Sequence, residues 1–373
     1  MGEPMNRGAG ALNVALVGCG NISGAYLKNI AKLPNLRLVS VSDVNETAAR
    51  KVGGEQAVPV RPLAHVLKDD DVDLVLNLTP PQMHAPLTVE ALEAGKHVYL
   101  EKPFAVSLEE ADEMLETAGR TGRRIGSAPD TVLGTGIQTA RWLIDHGEIG
   151  QPVAATAFML SPGHEGWHPN PGFYYLDGGG PLLDMGVYYV TALVTMLGPI
   201  TQVMGMGARP RTERVAPPGA PRAGEALPVE VDTHITANLR HDSGVLSTLI
   251  VSFDTVASQL PPIEVYGADA SLSVPDPNRF SNAVGIGRRG GTGFVDIHDK
   301  AGYLEAGRGY GLSDMARAIL DDSDHRQSAE LGYHVNEVMA RILESAGRRE
   351  TVDVQSTCER PAPVVVDNTP EVG

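Results

Sequence analysis

The turn Gly18-Cys19-Gly20-Asn21-Ile22-Ser23 follows an apolar run and opens an amphipathic one. In that context a glycine pattern reads as a phosphate cradle. Gly18 permits a tight turn, Gly20 lets the backbone approach a pyrophosphate, and the start of the following helix offers unpaired N–H groups to its charge. Asn21 and Ile22 complete the residues expected against a dinucleotide, and Ser23 is small where a third Gly or Ala is usual. Asp43 closes the next apolar run about 20 residues further on, where a carboxylate accepts hydrogen bonds from an adenosine ribose. A 2′-phosphate would meet its charge, and neither Val44 nor Asn45 supplies an arginine, so the expected cofactor is NAD. Thr79-Pro80-Pro81 and Glu101-Lys102-Pro103 directly follow apolar runs and fall at strand carboxyl ends, where open α/β sheets bind ligands. Lys102 is a functional candidate there, because Pro103 restricts its backbone to extended or turn geometry.

Those residues need a doubly wound parallel sheet to position them, and the chain from Leu12 to about Ser127 has the βαβ pattern of one. Strands are predicted at Leu12–Val17, Arg37–Ser42, Asp73–Leu78, His97–Leu100 and Arg124–Gly126. Helices are predicted at Ser23–Lys32, Glu46–Lys51, Pro86–Ala94, Leu108–Thr121 and Gly136–His146. After Gly150, β-branched or apolar runs take over at Pro152–Leu160, Val229–Leu239, Gly244–Thr255 and Ile263–Tyr266, which predicts an α+β domain with an open, mostly antiparallel sheet. A helix at Leu182–Leu197 interrupts it, and a late one at Leu331–Ala346 is expected near the domain junction. Ala208–Ala226 and Asn278–Gly293 read as exposed loops, and the tail after Val354 as a mobile end or edge strand. The expected division is a Rossmann domain at 1–130 and a substrate-binding and oligomerisation domain at 131–373.

At 373 residues the chain exceeds the size at which one core usually keeps growing, which agrees with two domains. A formal charge of −16 repels phosphate backbones and anionic lipids, so neither nucleic acid nor a membrane surface is an expected partner. A disulfide at Cys19 would obstruct the turn it decorates, and Cys358 is the only other cysteine, so a reducing, cytoplasmic location is expected. Met1–Gly10 carries no apolar leader core, and no run approaches the ~20 apolar residues of a spanning helix.

The Gly18 turn, Asp43, Thr79-Pro80 with His84, Ala94-Gly95-Lys96-His97-Val98 and Glu101-Lys102-Pro103 together resemble the glucose-fructose oxidoreductase, inositol dehydrogenase and rhizopine catabolism (Gfo/Idh/MocA) family. The resemblance spans the chain and is more specific in its first half. It implies an enzyme acting on a secondary alcohol or ketone of a sugar, cyclitol or related compound, with Lys102 as the family lysine and Thr79, Pro80, His84 and Glu101 at the cofactor. It also implies that the face of the second sheet joins subunits into a homodimer or homotetramer. The family's second signature, Asp-x-Gly-x-His-x-x-Asp, is met in part from Asp184: Tyr188 stands at the histidine and Thr191 at the second acid. Asp184, Tyr188 and Thr191 are spaced to share one helix face, and the preceding glycines let that face approach a ligand.

Oxidising a secondary alcohol needs a group to take the hydroxyl proton and a positive charge to stabilise the developing alkoxide. Lys102 is read as that charge, Tyr188 as the proton relay and Asp184 as the acceptor for a substrate hydroxyl, with Lys102 itself the alternative proton shuttle. Gly163-His164-Glu165-Gly166-Trp167-His168-Pro169-Asn170-Pro171 is expected to line the pocket, with Trp167 stacking on a sugar face and His164, His168 and Asn170 bonding hydroxyls. Asp130 is a further candidate for that pocket. The histidines and Glu165 match no closed ligand set, so no metal is expected. Two other functions compete: a redox-neutral NAD-dependent glycosidase that works by transient oxidation and elimination, and a non-catalytic NAD sensor, which leaves Lys102 and Asp184 without a task.

Overall fold

Five buried runs in the N-terminal third form parallel strands: β1 (Leu12–Val17), β2 (Leu36–Ser42), β3 (Leu74–Asn77), β4 (His97–Leu100) and β5 (Ile125–Ser127), in the order β2-β1-β3-β4-β5. Their side chains alternate between two apolar layers. Val14, Leu16, Leu74 and Leu76 pack with Tyr26, Leu27 and Ile30 of helix α1 (Ser23–Ile30). Ala15, Val17, Val75 and Leu100 pack on the other face, with Ala91 and Leu92 of a helix at His84–Glu93 and Ala111 and Met114 of one at Leu108–Thr121. Helices on both faces explain why these strands read as continuous apolar runs. The Leu108–Thr121 helix shows how local chemistry sets the boundaries. The Ser107 hydroxyl accepts from the Glu110 N–H at 3.2 Å, Glu109 and Glu110 sit in the first turn, and Gly122 ends the helix at φ 64°.

This computed structural model describes residues 10–367. Positions 1–9, read above as lacking a leader, and 368–373, the end of the tail, lie outside the described residues. Of the described residues, 10–134, Tyr303–Tyr333 and 364–367 form one compact unit, and Thr135–Gly302 with His334–Pro363 form a second.

The second unit is built on a nine-stranded sheet. Its strands are β6 (Pro152–Leu160), β7 (Ile200–Ala208), β10 (His234–His241), β11 (Leu246–Ser252), β12 (Ile263–Gly267), β13 (Ala270–Val274), β14 (Val284–Arg288), β15 (Phe294–Ile297) and β16 (Val352–Asp353). They run in the order β15-β14-β13-β12-β6-β11-β10-β7-β16, antiparallel throughout except for the β6–β11 pair. The segment read as an exposed loop at Ala208–Ala226 instead contains β8 (Glu213–Val215) and leads into β9 (Ala226–Pro228), a separate two-stranded pairing. The second such segment contains β14. Both strands are too short to show alternation among prolines and glycines. The helix predicted at Leu182–Leu197 opens with a π turn at Leu182–Gly186 and becomes α-helical at Val187–Leu197.

Two α-helices of the first unit escape the sequence pattern, the short Leu63–Lys68 and a longer one near the end of the chain. The helix Tyr310–Leu320 packs Tyr310, Leu312, Met315 and Ala316 into the same layer as Val14 and Leu16. Gly309 and Gly311 at its start obscure the periodicity. The late helix runs Ala329–Arg348, and the division between units falls inside it, after Tyr333. Among the described residues, no helix is long and apolar enough to cross a membrane.

Candidate functional site

In the first unit the glycine turn is pressed against the end of β3. Gly18 has φ +103°, and a Cβ there would lie 2.5 Å from the Leu78 carbonyl oxygen and 2.8 Å from the Thr79 nitrogen, so only glycine fits. Gly20 is exposed with open space where its Cβ would be. Beside it lies the N-terminus of α1, which has no side-chain cap. An open glycine beside uncapped helix N–H groups fits a pyrophosphate.

Asp43 sits half-buried behind the turn. Its Oδ2 accepts from the Cys19 N–H at 2.6 Å and its Oδ1 from the Asn45 N–H at 2.7 Å, so it fixes the turn while each oxygen keeps a lone pair for a ribose hydroxyl. Burial, then the Asp43 charge, pushes the Cys19 thiol up to about 11. The position at a helix start has not acidified it, and Cys19 stays a small neutral turn residue.

The loops after β3 and β4 are tied together by His84. Its Nδ1 lies 2.7 Å from the Pro103 carbonyl oxygen and its Nε2 2.9 Å from that of Thr79. Both ring nitrogens therefore face backbone carbonyls, of which the neutral ring bonds one at a time, and His84 positions the loops that carry Thr79, Pro80 and Lys102. Burial lowers its pKa, against the pull of those two carbonyls. Asn77 Oδ1 accepts from both the N–H and the hydroxyl of Thr79, while Pro80 is exposed. Glu101 is buried, accepting from the Tyr26 hydroxyl at 2.9 Å and from the Lys102 N–H at 3.0 Å, so it holds the backbone from which the half-buried Lys102 side chain leaves. The Lys102–Pro103 peptide is cis.

Asp130, read from the sequence as a pocket residue, is 0% exposed. It accepts from the Gly309 and Gly311 N–H groups at 2.8 and 3.2 Å and pairs with Arg308. Burial raises its pKa and Arg308 opposes this. It braces the returning segment inside the first unit and presents nothing to a substrate.

In the second unit, His164 and Asp184 come together from the loop after β6 and the π turn, with His164 Nε2 3.2 Å from Asp184 Oδ2. That is ion-pair range, although the N–H is not aligned on Oδ2 well enough for a hydrogen bond. The His164 ring stacks on Tyr174 at 3.9 Å and meets the edge of Phe253 at 4.7 Å. Trp167 is 62% exposed, with its ring 5.3 Å from those of His164 and His168. His168 Nδ1 accepts from the Asn170 N–H, and the Asn170 side chain turns to Arg222, accepting at 2.7 Å. Tyr188 is 4% exposed on a helix whose residues are all buried, and the Thr191 hydroxyl donates to the Val187 carbonyl of its own helix.

The support beneath this loop is a buried ionic network that sequence reasoning missed. Arg214 of β8 donates to Glu165 at 2.8 Å and Asp254 at 2.6 Å, and also bonds the Pro162 carbonyl. The Tyr175 hydroxyl donates to Glu165 and accepts from the His164 N–H at 3.0 Å. Burial works to raise the Glu165 pKa, but the Arg214 and Tyr175 bonds outweigh it and hold the carboxyl below its usual range. The only signal in the sequence was an arginine in a segment that reads as loop.

Residues 12–128 match the profile of an oxidoreductase family with an NAD-binding Rossmann fold, and residues 137–273 match the Gfo/Idh/MocA C-terminal domain. The chain is similar to 1,5-anhydro-D-fructose reductase of Ensifer adhaerens, 27% identical over 272 residues that cover 69% of this chain and 74% of the relative. It is also similar to myo-inositol 2-dehydrogenase of Thermotoga maritima, 25% identical over 266 residues covering 70% and 74%. Its fold matches the crystal structure of an NAD binding oxidoreductase from Klebsiella pneumoniae at a TM-score of 0.79 and 24% identity, over 92% of this chain and 99% of that one. With both domains matched in order, the chain belongs to the Gfo/Idh/MocA family of oxidoreductases and carries its NAD-binding Rossmann domain.

Proposed function

We propose that this protein is an NAD-dependent dehydrogenase that transfers hydride between nicotinamide and a secondary alcohol of a sugar, sugar derivative or cyclitol. The observation that carries the substrate class is the exposed Trp167 ring flanked by His164 and His168, with Asp184 against His164. An apolar ring face beside several hydroxyl-bonding groups suits a polyol. The names of the two curated relatives, one acting on an anhydro sugar and one on a cyclitol, support the same class. Asp43 supports NAD over NADP, since its carboxylate stands where a 2′-phosphate would bring like charge.

Nicotinamide, when bound at the Gly18 turn, would supply the two-electron acceptor. Lys102 stabilises negative charge on the reacting oxygen, and Asp184 accepts a substrate hydroxyl. Two side chains of the second unit compete for the proton: Tyr188, from the sequence pattern, and His164, from its place beside Asp184. A cytoplasmic homodimer or homotetramer joined through the second sheet completes the reading.

The test is to incubate the protein with NAD and a panel of free sugars, cyclitols and aryl glycosides, following reduced cofactor and released aglycone together. Steady accumulation of reduced cofactor is the expected result. Aglycone release without it would replace the dehydrogenase with the glycosidase, and silence on both would leave the sensor.

A further inference from the structure

His164 is 8% exposed, and its Nδ1 is buried with no hydrogen-bond partner among the described residues. Buried polar atoms are nearly always partnered, so one that is not needs a reason. The carboxylate 3.2 Å from Nε2 favours a proton on that nitrogen over one on Nδ1, where the lone pair would then lie. The ring is held by Tyr174 on its face and by Phe253 edge-on. Its main chain hangs from Tyr175, and through Tyr175 from Glu165 and Arg214. This is a fixed proton acceptor backed by a carboxylate.

We propose that His164, oriented by Asp184, takes the hydroxyl proton of the substrate. The proposal rests on the reading of the chain as an alcohol-oxidising enzyme. In the oxidative direction the O–H proton passes to Nδ1, and the carbinol C–H bond breaks with its electron pair leaving as hydride to the oxidised dinucleotide. The C–O bond becomes C=O, and the resulting imidazolium is balanced by the Asp184 carboxylate. In the reverse direction the imidazolium returns its proton to the carbonyl oxygen as hydride arrives.

Two measurements test this. The first is independent of any substrate: nitrogen NMR of histidine-labelled protein, with the His164 signals assigned by their loss in His164→Asn. An unprotonated Nδ1 and a protonated Nε2 that shifts in Asp184→Asn are expected, whereas a protonated Nδ1 would overturn the proposal. The second is steady-state kinetics with whichever sugar or cyclitol of the panel the parent protein oxidises fastest. His164→Asn should lower kcat by about 10²–10⁴-fold, the usual worth of a positioned acid–base group, with little change in KM. NAD affinity, read by fluorescence titration, should be kept. Imidazole in the buffer should restore part of the lost kcat to His164→Gly, a rescue that a purely structural histidine would not show. Near-parent kcat in His164→Asn would sink the proposal. If the parent oxidises nothing in the panel, the alcohol-oxidation reading fails, and the nitrogen spectra still decide the state of the pair.

Discussion

Lys102 leaves the end of β4 from a backbone that Glu101 and His84 hold from two sides. Its charge is assigned to the reacting oxygen and not to the dinucleotide, so Lys102→Met should cost at least ~10²-fold in kcat, as losing one oxyanion donor does. NAD affinity should stay within about threefold of the parent in a fluorescence titration, well short of the tenfold that 1.4 kcal/mol represents; turnover near the parent rate would show the assignment to be wrong. Asp43 bonds the Cys19 N–H, and the proposed function gives it a second task at the cofactor ribose. Asp43→Ser removes the charge and keeps an acceptor, so the ratio of kcat/KM for NADP to that for NAD should rise, and an unchanged ratio would remove Asp43 from cofactor choice. At this scale the sequence was most legible where short-range chemistry speaks. Gly18 needs a positive φ and Asp43 follows at a fixed spacing, so both can be read from neighbours. The pairing of His164 with Asp184 cannot, because their contact is made by tertiary structure across a loop and a π turn.

Among the elements, β8 and the loop after β6 depend on each other through one guanidinium. Arg214→Met leaves the buried Glu165 and the partly buried Asp254 without their cation, which should destabilise the protein by about 3–5 kcal/mol in chemical denaturation. A loss under ~1 kcal/mol, the worth of an exposed pair, would show that water reaches the network. The depressed pKa of Glu165 also sets a pH dependence. A carboxyl whose folded pKa lies below its unfolded value adds stability above the unfolded pKa of about 4.3 and loses it as pH falls through the folded value. Stability measured from pH ~6 down to ~3 should therefore drop more steeply in the parent than in Glu165→Gln; parallel curves would remove Glu165 from the acid response. All five strands of the first sheet lie within a residue or so of their predicted places, because burial on both faces makes them continuous apolar runs. The short strands β8 and β14 were hidden among glycine and proline, where neither period has room to show.

For the whole molecule, the first unit is discontinuous in sequence. The helix Tyr310–Leu320 supplies apolar side chains to the layer beneath β1, Asn35 exchanges two hydrogen bonds with Ser313, and Asp130 is buried against Gly309 and Gly311. A chain ending at Gly134 should therefore lack a cooperative thermal transition and bind NAD weakly, having exposed that layer and stripped a buried carboxylate of its donors. A sharp transition with parent-like NAD binding in the truncated chain would show the returning segment to be dispensable.

The chain passes from one unit to the other four times, at 134/135, 302/303, 333/334 and 363/364. During synthesis β1 to β5 leave the ribosome first, yet their apolar layer stays open until Tyr303–Tyr333 has been made, after the whole run Thr135–Gly302. Most of the second unit, Thr135–Gly302, is thus made while the first is still unfinished, and His334–Pro363 completes it only after Tyr303–Tyr333 has followed. For the same reason specificity cannot be exchanged between relatives by joining two genes at a single point. A graft has to carry Thr135–Gly302 and His334–Pro363 together, which favours divergence by substitution within the inserted unit.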